Sequence, residues 1–136
     1  MTRQKLKQVR HLKSEIKLLQ EQILTLESEI VTDKVKGSLS EHPYIETTYT
    51  IKGLVHERSA KVERLKKQLQ RRVDELMDLR QEVYEFVETI DDSLIRQVVI
   101  LRHVNGLTWD QVAASIGGGN TADSLRKMHD RFLKGA

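Results

Sequence analysis

Apolar residues between positions 9 and 30 recur in alternating steps of three and four. Val9, Ile16, Ile23 and Ile30 lie seven apart, and Leu12, Leu19 and Leu26 interleave with them. Such a heptad pattern, with β-branched residues at a and leucine at d, predicts a long helix that buries one narrow seam. A second run has the same character: Val62, Leu65, Leu69, Leu76, Leu79, Val83, Phe86 and Ile90, with Arg72 at the one d position that breaks it and Val73 beside it. Neither run contains Pro or Gly, so each is expected to be continuous. The spacing predicts helix one over 1–33 and helix two over 54–90.

Between them, residues 34–53 hold the only proline, Pro43, with Gly37 and Gly53 at the two ends. Tyr44, Ile45, Thr47, Thr48, Tyr49 and Ile51 favour strands. The expectation for this connector is a short β-strand or hairpin, with an extended link as the alternative. A lone two-stranded hairpin is marginal in water and needs a partner.

Charge decides how the helices should pair. Helix one begins basic (Arg3, Lys5, Lys7, Arg10, Lys13, Lys17) and ends acidic (Glu21, Glu27, Glu29, Asp33). Helix two repeats the gradient, from Arg58, Lys61, Arg64, Lys66, Lys67, Arg71 and Arg72 to Asp74, Glu75, Asp78, Glu82, Glu85 and Glu88. Isoleucine at a with leucine at d favours parallel dimers. Pairing identical helices in parallel, however, sets like charges side by side. An antiparallel hairpin of helix one on helix two sets each basic end against an acidic one. Single surface pairs are worth only ~0.2–1 kcal/mol, but many together select an orientation when the apolar seam is similar either way. The hairpin is expected to self-associate through leftover apolar surface, as a homodimer or higher homo-oligomer. The basic start of helix one has a second reading, as a nucleic-acid arm.

Residues 91–136 change register. Asp91, Asp92 and Ser93 are helix-starting residues, and the mostly apolar Leu94, Ile95, Val98, Val99 and Leu101 predict a third helix that stops at Asn105-Gly106. Thr108 with Gln111 is a capping box for a fourth helix that buries Trp109, Val112, Ala113 and Ile116. After Gly117-Gly118-Gly119, a fifth helix starts at Asn120 or Thr121. It sets Ala122, Leu125, Met128 and Phe132 on one face, and Ser124, Lys127 and Arg131 on the other with Arg126 and Lys134 at the flanks. Three short helices, the last two joined by a tight glycine turn, make a helix-turn-helix pattern. In that motif the final helix enters the major groove. The residues expected to contact DNA are Asn120, Thr121, Ser124, Arg126, Lys127 and Arg131.

The segment IRQVVILRHVNGLTWDQVAASIG resembles the start of the region 4 domain of sigma-70-type RNA polymerase factors. Arg96, Val98, Val99, Leu101, Arg102, Gly106, Leu107, Thr108, Trp109, Val112, Ala113, Ile116 and Gly117 fall in the family register. A coiled-coil front with such a tail also resembles small phage-encoded transcriptional regulators of Gram-positive bacteria, the RinA and ArpU type. The resemblance implies promoter-type DNA binding, control of phage or prophage genes, and RNA polymerase as a further partner. The chain departs from the sigma pattern in GGNTAD, which is longer than usual, and in Asp123, an acid where phosphates are expected. Base contacts therefore do not carry over. The chain also has no room for a region that melts promoter DNA.

Composition narrows the remaining classes. Of 136 residues, 32% are charged and only 4% aromatic, which fits long exposed helices better than one thick core. The net charge of +3 leans toward anionic partners. Absence of cysteine excludes disulfides and thiolate chemistry. The five histidines, His11, His42, His56, His103 and His129, show no metal spacing. Gly117–Gly119 is not a phosphate loop, because no Gly-Lys-Ser/Thr follows. Asp91 and Asp92 read as helix caps, and Trp109 as core. No apolar run reaches membrane-span length, and the N-terminus lacks a signal-peptide core.

The expectation is an all-α, cytoplasmic, non-enzymatic protein without cofactor: a long antiparallel helical hairpin followed by a C-terminal helix-turn-helix domain that binds duplex DNA sequence-specifically. The alternatives are a DNA-packaging subunit of the small-terminase type, and a sigma-like protein-interaction module that never touches DNA.

Overall fold

The computed structural model describes residues 1–39 and 45–135, with side chains at 1–35 and 52–135. The heptad runs become two long helices, α1 (Arg3–Leu39) and α2 (Ile45–Glu88). Both overrun their expected limits into the connector. Ile45, Thr47, Thr48, Tyr49 and Ile51 are helical, and no strand occurs among the described residues. The expected β segment is therefore corrected for these positions, while Tyr44 and Pro43 lie outside the described residues. The physical reason is that strand preference measures fit to a sheet surface. Here no sheet exists to join, whereas each residue added to α2 gains a helical hydrogen bond. Gly37 and Gly53 lie inside the helices, since an interior glycine costs only about 1 kcal/mol.

The chain folds as two compact units, Glu15–Val73 and a second made of Met1–Ser14 with Asp74–Ala136. In the first, Leu19, Ile23 and Ile30 of α1 and Val62 and Leu65 of α2 form a buried seam, with Leu26, Val55 and Leu69 packed against it. These are the heptad positions. Ion pairs flank the seam in reverse order: Arg58 with Glu29 and Asp33, Lys66 with Glu27, and Arg72 with Glu15. Rising numbers in α2 meet falling numbers in α1, so the helices run antiparallel here. Arg72, which interrupts the d positions, reaches Glu15 instead of entering the seam.

One of these pairs differs from the rest. Asp33 is only 8% exposed, and Arg58 supplies its counter-charge. Removing the cation strands a shielded carboxylate. Arg58→Met is expected to lower stability by about 1–2 kcal/mol, against ~0.2–1 kcal/mol for Lys66→Met at an exposed pair. Urea denaturation of both variants checks the order.

In the second unit, three short helices follow α2. Helix α3 (Ser93–Val99) starts at Asp92, whose carboxylate accepts from the Leu94 and Ile95 amides. It continues into a wider π turn over Ile100–Val104, closed by the Asn105 amide donating to the Ile100 carbonyl at 2.9 Å. Gly106, at φ 70°, then lets the Leu107 amide return to the Leu101 carbonyl. Lys13 donates to the Val104 carbonyl, which satisfies the end of the turn.

Helix α4 (Trp109–Ile116) carries the expected reciprocal Thr108–Gln111 box. Helix α5 spans Ala122–Gly135. The near-continuous apolar character of α3 is explained by burial on two sides. Val98 packs with Val112 of α4 and Leu125 of α5. Val99 and Val104 pack with Leu6 and Val9 of α1 and Val83, Val87 and Ile90 of α2. Phe132 of α5 meets Phe86 of α2 at a 6.1 Å ring separation.

Candidate nucleic-acid interface

The turn from α4 to α5 passes through Gly117, Gly118 and Gly119 at φ 68°, 65° and 80°. Side chains rarely adopt this region. Three such residues in a row explain the three glycines: the backbone conformation, not lack of room, disfavours a side chain at each.

Three of the expected contact residues are used locally. The Asn120 amide nitrogen donates to the Gly117 carbonyl at 2.9 Å, bracing the turn. The Thr121 hydroxyl accepts from the Ser124 amide, and the Ser124 hydroxyl accepts from the Thr121 amide, both at 3.1 Å. This reciprocal cap satisfies two orphan amides and occupies hydroxyls that the sequence pattern offered to DNA.

The cations divide between two faces. At 100° per residue, Leu125, Met128, His129 and Phe132 point one way along α5, while Lys127, Arg131 and Lys134 point the other. Lys127 and Arg131 are exposed and hold no ion pair among the described residues. Arg126 stands at the flank, bonded to Asp123 at 3.0 Å.

On its own flank Arg126 shares a cavity of about 190 Å³ with Arg3, Lys7 and Arg10 of α1 and Arg102 of the π turn. The spacing Arg3, Lys7, Arg10 is i, i+4, i+7, one face of a helix. That spacing is visible in the sequence, but what it faces is not, because α5 arrives from more than a hundred residues away. The charge gradients predict that these cations face the acidic end of α2. Lys5 does pair there, with Glu82 at 3.2 Å, whereas Arg3 pairs with Asp130 of α5 at 3.4 Å.

Arg102 reaches no carboxylate among the described residues. Its guanidinium donates to the Leu107 carbonyl at 2.8 Å and lies 4.9 Å from the Trp109 ring centre, a cation–π contact. Burial, and then the nearby Arg10, lower its pKa.

His103 and His129, which also line the cavity, are both buried, their Nε2 atoms 2.8 Å apart. His129 Nδ1 lies 3.1 Å from the Asp130 carboxylate. That acceptor assigns the His129 proton to Nδ1, so His129 Nε2 accepts from the His103 Nε2–H. The second ring nitrogen of His103, Nδ1, has no hydrogen-bond partner. Burial lowers the His103 pKa to about 3, helped by His129, Arg102 and Arg10, against one backbone interaction with Leu6. Burial also lowers that of His129, although Asp130 opposes the shift.

Among the described residues no group of His, Asp and Glu is arranged to hold a metal ion, and no helix is long and apolar enough to cross a membrane. No protein-family model, curated protein or solved structure matches this chain.

Proposed function

We propose that the protein is a transcriptional regulator that binds duplex DNA sequence-specifically, with α4 and α5 acting as a helix-turn-helix. The observation that carries this reading is α5 itself. One face is anchored by Leu125, Met128 and Phe132, while the other offers Lys127 and Arg131 unpaired to solvent, directly after a turn built of three glycines. A braced helix with free cations suits major-groove entry. Phosphate contacts would set affinity and orientation, and the start of α5 would read bases.

Self-association belongs to the same proposal, with the hairpin of α1 and α2 as a coiled-coil-like platform. Leu24, Val31 and Val35 of α1 are 52–66% exposed. Their spacing of seven and four forms a second apolar stripe, away from the seam that α2 fills. A dimer would present two reading helices and supply avidity. The sigma-like resemblance adds RNA polymerase as a partner and a phage or prophage setting.

Selection from a random duplex pool, followed by sequencing of what is retained, tests the reading. Wild type is expected to enrich a motif, and Lys127→Ala/Arg131→Ala to lose about tenfold in affinity with a shallower salt dependence. Salt-sensitive retention without a motif would favour the packaging reading. No retention, with activity dependent on the hairpin alone, would favour the protein-interaction module.

A further inference from the structure

We propose that the cavity formed by Arg3, Lys7, Arg10, Arg102 and Arg126 is a phosphate-binding site. Five cations from three separate stretches of chain line it, and Asp130 is the one carboxylate among them. That carboxylate is already shared by Arg3 and His129. Arg126 has its own partner in Asp123. Lys7 and Arg10 hold no ion pair among the described residues. Two carboxylates relieve the mutual repulsion of five cations only in part, and an anion in the cavity relieves the rest.

The wall has the fixed geometry of a built site. Arg102 is held from two sides, by the Leu107 carbonyl and the Trp109 ring. His103, 4% exposed, also lines the cavity.

Size and donor chemistry select the ligand. A volume of 190 Å³ has room for one tetrahedral oxyanion with residual water. Guanidinium forks match the oxygen spacing of a phosphoryl group. The phosphate can come from a duplex backbone or from a free phosphate. The duplex source rests on the DNA-binding reading above, and the free source does not.

Trp109, the only tryptophan, lines the cavity and reports occupancy. The full-length chain is titrated with inorganic phosphate at constant ionic strength in chloride, following Trp109 fluorescence and thermal unfolding. In parallel, duplex affinity is measured across salt. Lys7→Gln/Arg10→Gln is the test variant, because neither side chain is pinned by another contact. Lys7→Arg/Arg10→Lys is the conservative rescue.

A saturable fluorescence change with a raised Tm, weakened about tenfold by the glutamine pair and restored by the rescue, establishes free phosphate as ligand. No response to phosphate, but a duplex salt slope reduced by about 1–2 in the glutamine pair, assigns the site to the DNA backbone. Absence of both effects overturns the proposal. The DNA-binding reading fails separately, when wild type binds no duplex at all. In that case the phosphate titration alone decides the site.

Discussion

Acidification from pH 7 to pH 4.5 is expected to remove about 2–3 kcal/mol of unfolding free energy through His103, with its neighbour His129 acting in the same direction. Burial holds His103 neutral down to about pH 3 in the folded protein, whereas the unfolded chain takes up the proton near the ordinary value of 6.5. The unfolded state therefore binds more protons than the folded state between those limits. Stability is complete above pH 6.5 and falls steadily as pH drops toward 3. The geometry gives the reason. Two ring nitrogens 2.8 Å apart can share one proton, and a second breaks the bond. Arg102, Arg10 and Arg3 all oppose added charge on the pair, and Asp130 favours it at His129 alone. Surface carboxylates also titrate as pH falls, so the comparison must be internal. His103→Leu/His129→Leu keeps every carboxylate and deletes the pair. Urea denaturation at steps from pH 7 to 4.5 should give a flatter curve for that variant. Parallel curves for the two proteins would sink the explanation.

The heptad seams were legible because the apolar residues that form them recur along each helix at a fixed period. Val9, Leu19, Ile23, Ile30, Val62 and Leu65 are all buried as the spacing required. The Thr108–Gln111 box was legible for the same reason: capping is local chemistry between residues three apart. What the sequence concealed is long-range. The strand-forming residues after Ile45 were overridden by helix continuation, because no sheet was present to receive them. The reciprocal cap of Ser124 on Thr121, by contrast, went unread beside its expected DNA contact. The basic cavity could not be read at all, because the sequence does not show that Arg3, Lys7 and Arg10 come to lie beside Arg102 and Arg126. His103 and His129, with no metal spacing, gave no hint of facing one another.

The division into units decides how α5 is held. The sequence pattern suggests that residues 91–136 form a headpiece of their own, a size at which a core is marginal. In the structure, α3–α5 share a compact unit with the beginning of α1 and the end of α2. Leu6 is wholly inaccessible and packs in the cluster that holds Val99 and Val104, and Phe132 packs against that cluster. Leu125, at 1% exposure, anchors the other cluster, with Val98 and Val112. Truncating either leucine removes comparable volume from a closed core, so Leu6→Ala and Leu125→Ala should each cost about 3 kcal/mol. Amide hydrogen exchange separates this arrangement from an autonomous headpiece. If the unit is one cooperative body, Leu6→Ala lowers protection across α3 and α5 as much as Leu125→Ala does, although it lies far away in sequence. Unchanged protection of α3 and α5 in Leu6→Ala would mean that the last helices fold alone. Under the proposed DNA-binding function, duplex affinity should follow protection, because Lys127 and Arg131 present their charges only while the opposite face of α5 stays docked.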